Sequence, residues 1–201
     1  AVDASDPDHQ VTPLMLAGWY KHPDVARRLI EAGAKIDATT KVGPTPRFIP
    51  PGFGNGSHGD GIVRGGVPPQ GQRAAVPGGM TPMLYAARAG DLETVRMLAD
   101  AGASIEQAEA NNVRPLLMAI LNGHMDIATW LIERGANVNA DDFYGRAPLW
   151  SAVEWRNLEY PSDTSGTHDV DRPAVLKVIE LLLRKGANPN ARLREYPPTR
   201  N

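Results

Sequence analysis

Apolar and polar positions along this chain recur in blocks. Thr12-Pro13 opens a short apolar run, Leu14-Met15-Leu16-Ala17, and a polar break leads to a second run that closes at Gly33-Ala34. The same order returns from Thr81-Pro82 to Gly102-Ala103, from Arg114-Pro115 to Gly135-Ala136, and from Ala147-Pro148 to Gly186-Ala187. In the second block Leu92, Val95 and Leu98 fall at helical spacing, as do Met125, Ile127, Trp130 and Leu131 in the third, so each second run predicts an amphipathic helix. Proline at a first helical turn loses no hydrogen bond and presets its own dihedral, so each Pro predicts the start of a first helix. The closing glycines predict left-handed helix ends. Each block therefore reads as two short helices and a turn-rich connection.

Spacing makes this a repeat. Pro82, Pro115 and Pro148 are 33 residues apart, and Pro13 lies 69 before Pro82, one period plus a 36-residue insertion. From Pro to closing Gly the distance is 20 residues in three blocks and 38 in the fourth, which carries an insertion of its own. A lone helix pair cannot bury its apolar face, so neighbours must stack around a shared core. The "TPL…A" openings, "NGHMDIA" and "GANVNA" resemble the ankyrin repeat family over about two thirds of the chain, with a closer likeness to bacterial members carrying long insertions in a finger and between helices. The resemblance implies an all-α solenoid of four helix-turn-helix units with β-hairpin-like fingers. At the family's histidine position of "TPLH" stand Met15, Leu84, Leu117 and Trp150, so one turn network is expected to be weaker.

The predicted organisation is a single domain: residues 1–11 ending a preceding finger, repeat 1 over 12–42, an insertion over 43–79, repeat 2 over 80–112, repeat 3 over 113–145, repeat 4 over 146–191 with its insertion at about 157–173, and a tail over 192–201. The first insertion holds 11 glycines and 7 prolines in 37 residues. Its composition suits a linker, but Phe48, Ile49 and Phe53 are expected to anchor it on its own chain or a neighbour. With both ends falling between units, further chain or another molecule is expected to cover them.

Composition narrows the chemistry. With 42% apolar and 22% charged residues and a net charge of −2, the chain reads as globular, without the basic face that nucleic acid requires. No cysteine is present, and no apolar run is long enough to insert in a membrane. Compartment stays open, with an exported setting favoured over the cytoplasm. His58 and Asp60 in "SHGDG" fall short of the three or four ligands that zinc needs. His22 and His124 are expected to cap and pack, and Asp141 and Asp142 to serve a finger turn. With no catalytic motif, the expectation is no enzyme, metal or cofactor.

What remains is recognition of another protein, or of copies of itself. In ankyrin proteins partners contact finger tips and the exposed positions of the first helices. Carried over, these are Trp19, Tyr20, Arg88, Leu121, Asn122, Phe143, Tyr144, Arg146 and Trp155, rich in the aromatic and arginine side chains of binding hot spots. Trp19, Tyr20 and Trp155 could equally lie under the inserted loop, and Trp130 and Trp150 are expected in the core. A scaffold, a head-to-tail assembly and a regulatory module of a larger enzyme or exported protein are the three functions to weigh.

Overall fold

The computed structural model describes residues 2–43, 78–157 and 172–194. Among them are eight helices and no strand. They are α1 (Pro13–Trp19), α2 (Pro23–Glu31), α3 (Pro82–Ala89), α4 (Leu92–Asp100), α5 (Pro115–Leu121), α6 (Met125–Glu133), α7 (Pro148–Asn157) and α8 (Arg172–Arg184). Successive pairs form units 1 to 4. The first helices α1, α3, α5 and α7 lie side by side in one row, and α2, α4, α6 and α8 form a second row behind them.

Local chemistry sets the helix ends. Thr12 and Thr81 stand at N-caps, their Oγ1 atoms accepting from the N–H of Met15 and Leu84 at 3.4 and 3.2 Å, contacts worth about 1 kcal/mol each. In unit 1 the Met15 sulfur accepts the Thr12 N–H at 3.4 Å, closing a capping box with a thioether. At the far end, Gly33, Gly102, Gly135 and Gly186 all have φ between +82° and +97°. The alanine after each donates its N–H to the carbonyl five residues back, Ala34 to Leu29 and Ala103 to Leu98, both at 2.9 Å. This Schellman closure explains the recurring Gly-Ala: glycine takes the left-handed turn and alanine fits against the helix it has just left.

Alanine also sets the spacing of the first row. Ala17, Ala86, Ala119 and Ala152 occupy one register position, all 4% exposed or less, and their small side chains let the helices approach. A Cβ on Gly18 would stand 3.2 Å from that of Ala86. Leu14, Met83, Leu116, Val95, Leu98, Ile127, Leu131, Val178 and Leu182 fill the interior between the rows. A second, smaller cluster of Met15, Met80, Leu84 and Tyr85 lies under the first finger connection, with Trp19 against it.

The fingers join into a ladder. Each is closed at its base by a backbone bond, Asp6 N–H to Val11 O, Thr40 to Met80, Glu109 to Val113 and Asp142 to Arg146, at 2.9–3.3 Å, and the carbonyls of Asp6, Thr40, Glu109 and Asp142 accept in turn from Gln10, Gly79, Asn112 and Gly145. The same residues use their side chains, Asp6, Glu109 and Asp142 accepting from the N–H of Val11, Val113 and Arg146, and Thr40 Oγ1 from that of Met80. Thr40 to Met80 spans 40 positions where Asp142 to Arg146 spans four. The long insertion thus emerges from a finger whose base is otherwise ordinary. One further bond links each finger to the next: Lys41 N–H to His9 O, Ala110 to Gly78, Phe143 to Asn111 and Arg194 to Tyr144.

Candidate protein-binding surface

The outward positions of the first helices and the adjoining fingers form the surface to test. In unit 1 the Trp19 ring meets Tyr85 of unit 2 edge-on, centroids 5.9 Å apart, and the Arg88 guanidinium lies 4.8 Å above the Trp19 ring. These three groups hold one another across the first junction. Trp19 is half-buried, whereas Tyr20 beside it is 63% exposed. In unit 3, Leu121 is half-buried, and exposed Asn122 turns its Nδ2 back to the Met118 carbonyl at 2.8 Å. Trp155 of unit 4 is half-buried with its ring over the turn of unit 3, where a Cβ on Gly123 would sit 3.2 Å from it.

The finger residues depart from expectation at Tyr144. Its ring is 5% exposed, enclosed by Phe143 edge-on at 5.2 Å and by Arg146 at 5.2 Å above it. Arg146 is itself held by buried Asp142, Nη2 to Oδ2 at 2.7 Å, so both side chains brace the finger. Arg194 of the next finger closes over them, pairing with Asp141 and donating to the Asp142 carbonyl. Phe143 is half-buried. Phe48, Ile49 and Phe53 lie outside the described residues, as does the loop proposed to cover Trp19, Tyr20 and Trp155.

The histidines expected to cap and pack meet only part of that expectation. Neither His22 nor His124 caps its helix through the side chain. The His124 ring instead reaches back to unit 2, where Nε2 lies 2.9 Å from the Arg88 carbonyl. A carbonyl only accepts, so Nε2 carries the proton. Burial holds the pKa of His124 below its ordinary value, with the charge of Lys21 acting in the same direction and the Arg88 carbonyl and Asp126 opposing. Burial raises that of Glu109, although hydrogen bonds from Val113 and Asn111 work against it.

Sequence reasoning passed over Tyr85, the partner of Trp19, and Lys21, whose φ of +56° is left-handed at a position where units 2 and 3 have Gly90 and Gly123. Gly90 and Gly123 align with Lys21 eight residues after each unit's proline, so the mismatch was visible in the repeat. On the opposite face, Trp130 is half-buried with Arg134 4.7 Å over its ring. It borders an open depression of about 300 Å³ with Leu92, Arg96, Met125 and Thr129. Among the described residues no three His, Asp or Glu side chains converge to hold a metal ion, and no helix is long and apolar enough to cross a membrane.

Comparison with known proteins agrees with this architecture. Residues 9–41 match the sequence pattern of the ankyrin repeat and residues 83–132 that of ankyrin repeats in many copies. The B-cell lymphoma 3 protein homolog of Mus musculus is 31% identical over 146 residues, 70% of this chain and 32% of that protein. An ankyrin repeat domain-containing protein of monkeypox virus is 37% identical over 81 residues, 40% of this chain and 16% of the relative. The mitochondrial liver glutaminase of Rattus norvegicus is 32% identical over 88 residues, 43% and 15% respectively. The chain thus spans less than a third of each relative's length. Ankyrin repeats are a protein–protein interaction module, typically without catalytic activity. Paired helices, Gly-Ala closures and laddered fingers agree with these matches: the chain belongs to the ankyrin repeat family.

Proposed function

We propose that this chain is a non-catalytic scaffold that binds another protein through the row of first helices and the fingers beside it. The observation carrying this reading is the interlocked Trp19, Tyr85 and Arg88 group with exposed Tyr20 at its edge. Side chains ordered before a partner arrives lose little entropy on docking, and aromatic and arginine side chains dominate hot spots. Asn122 and Trp155 continue the surface along the row; Tyr144 and Arg146 contribute by bracing the finger that presents Phe143. A photo-crosslinking amino acid placed at Tyr20 or Asn122 should capture a partner in extracts of the source cells, and one placed at Arg96 on the second row should not. Capture from Arg96 alone, or turnover of a small molecule by the purified chain, overturns the reading.

A second reading is head-to-tail self-assembly. Among the described residues, apart from Val42 on the finger, the large apolar side chains left exposed belong to the two outer units: Leu16, Tyr20 and Val25 in unit 1, and Val153, Leu176 and Leu183 in unit 4. The counterparts of Val153 and Leu183 in unit 3, Ile120 and Ile132, are buried by unit 4. Stacking copies end to end would cover such faces and, without closing, extend into filaments. Sedimentation across a hundred-fold range of concentration separates the readings, because a constant monomer ends this one. A regulatory module within a larger enzyme or exported protein is consistent with relatives several times longer than their matched segments; the mass of the intact cellular polypeptide tests it.

A further inference from the structure

The row of helix-connecting turns is covered in units 2 and 3 and open in unit 1. A Cβ on Gly90 would stand 2.5 Å from the His124 ring, and one on Gly123 3.2 Å from the Trp155 ring, so each of those turns carries a ring from the following unit. At the corresponding places unit 2 has Ala89 and Asp91, too short to cover the turn of unit 1. There Tyr20 and Lys21 are exposed. Lys21 also holds a left-handed backbone, φ +56°, which glycine adopts at far lower cost. Strain kept where glycine would relieve it points to a use for the side chain.

Charge is arranged in the same sense. Along the outward ends of the first helices and the turns after them, Lys21 and Arg88 are cationic in units 1 and 2, Leu121 and Asn122 are neutral in unit 3, and unit 4 carries Glu154 beside Arg156; the Asp91 carboxylate of unit 2 is buried at the start of α4. His22 and Asp24 flank Lys21 at the start of α2, yet among the described residues no carboxylate forms an ion pair with Lys21. Its field acts on His124 two units away. Two cations are far fewer than the several phosphate contacts a nucleic acid needs for tight binding. A short peptide with carboxylates around one aromatic side chain fits: the ring packs on Tyr20 and Trp19, and a carboxylate meets the ammonium, a point charge on a flexible stem.

We propose that the Trp19, Tyr20 and Lys21 edge of unit 1, braced by Tyr85 and Arg88, is the docking site for an acidic, aromatic-containing segment of the partner protein. This rests on the scaffold reading above and adds the chemistry of the partner and its place on the row. The test is fluorescence anisotropy of the full chain with three labelled peptides, each with one phenylalanine flanked by glutamates, glutamines or lysines. The glutamate peptide should bind tightest and weaken several-fold on raising salt to about 0.5 M. Lys21→Gly should weaken it about five-fold while raising the Tm, because the substitution removes the charge and relieves the backbone together. Tyr20→Ala should weaken it about ten-fold with an unchanged Tm. Equal binding of all three peptides, preference for the lysine peptide, no binding at all, or an unchanged affinity in Lys21→Gly overturns the proposal. If Asn122 still captures a partner by cross-linking in those cases, the scaffold reading survives; if it does not, both fall.

Discussion

At the residue scale, two titratable groups, buried Glu109 and half-buried His124, give the fold opposed responses to pH. Glu109 is 6% exposed, and its Oε1 accepts from the N–H of Asn111 and Val113 at 2.9 and 3.0 Å. Burial nevertheless raises its pKa above the ordinary value of 4.5, so the folded state binds this proton more tightly than the unfolded chain. Its contribution to stability is full below pH 4.5 and is lost as pH rises through the folded value. His124 is depressed below 6.5, so its contribution is full above that pH and is lost as pH falls through the folded value. Urea unfolding of the wild type between about pH 4 and 7.5 sums the two. Glu109→Gln should gain on the wild type as pH rises from 4.5, because the amide keeps an acceptor oxygen and has no charge to bury. His124→Gln should lose the decline below pH 6.5. Parallel stability curves for a variant and the wild type would refute the corresponding assignment.

At the element scale, the neck of the long insertion depends on one glycine. Gly78 has φ +105°, and a Cβ there would fall 2.0 Å from the Lys41 carbonyl oxygen. Gly33 is left-handed as well, but a Cβ there meets nothing within 4 Å. Gly33→Ala should therefore cost about 1 kcal/mol, the conformational penalty alone. Gly78→Ala must also part the two arms of the neck and should cost clearly more, of order 2–3 kcal/mol, measured as the shift in urea midpoint at constant m-value. Equal costs would mean that the neck yields freely. The contrast shows what sequence exposes and what it hides. Helix starts and Gly-Ala closures were readable because their determinants lie within a few residues of one another. The Thr40–Met80 closure was not, because its partners are 40 positions apart and Thr40 stands where the other fingers use an acid. Tyr144 was misread for a similar reason. Aromatic and arginine residues in a finger turn suggest exposure, but Arg194, 50 residues later in the next finger, helps bury them. The bracing of Trp19 was equally out of reach, because its partner Tyr85 lies beyond the insertion.

At the scale of the whole molecule, stability passes from neighbour to neighbour. The finger ladder is echoed on its outer side by a second set of bonds, in which Asp3, Asp37, Glu106 and Asn139 accept from the N–H of Lys35, Ser104, Asn137 and Asn188 in the following finger, at 2.7–3.1 Å. Behind them, exposed Arg27 pairs with Glu93 and Arg134 with Asp100, each bridging adjacent units; such pairs add little apiece. The larger share comes from helix pairs that pack chiefly on the pairs beside them. In such an array a weakened unit loosens whatever depends on it for contact, while the rest keeps its own core. Leu98 in unit 2 and Leu131 in unit 3 are both fully buried, and truncating either to alanine should cost about 2–5 kcal/mol. The distribution of that loss should differ. Unit 1 packs on the molecule through unit 2, so Leu98→Ala should speed amide hydrogen exchange in α1 to α4, while α5 to α8, still packed on one another, keep most of their protection. By the same argument Leu131→Ala should speed exchange in α5 to α8, while α1 to α4, still packed on one another, keep most of theirs. Hydrogen exchange read by mass spectrometry distinguishes this from a globular core, because an equal loss of protection in all eight helices after Leu98→Ala would show that the units unfold only together.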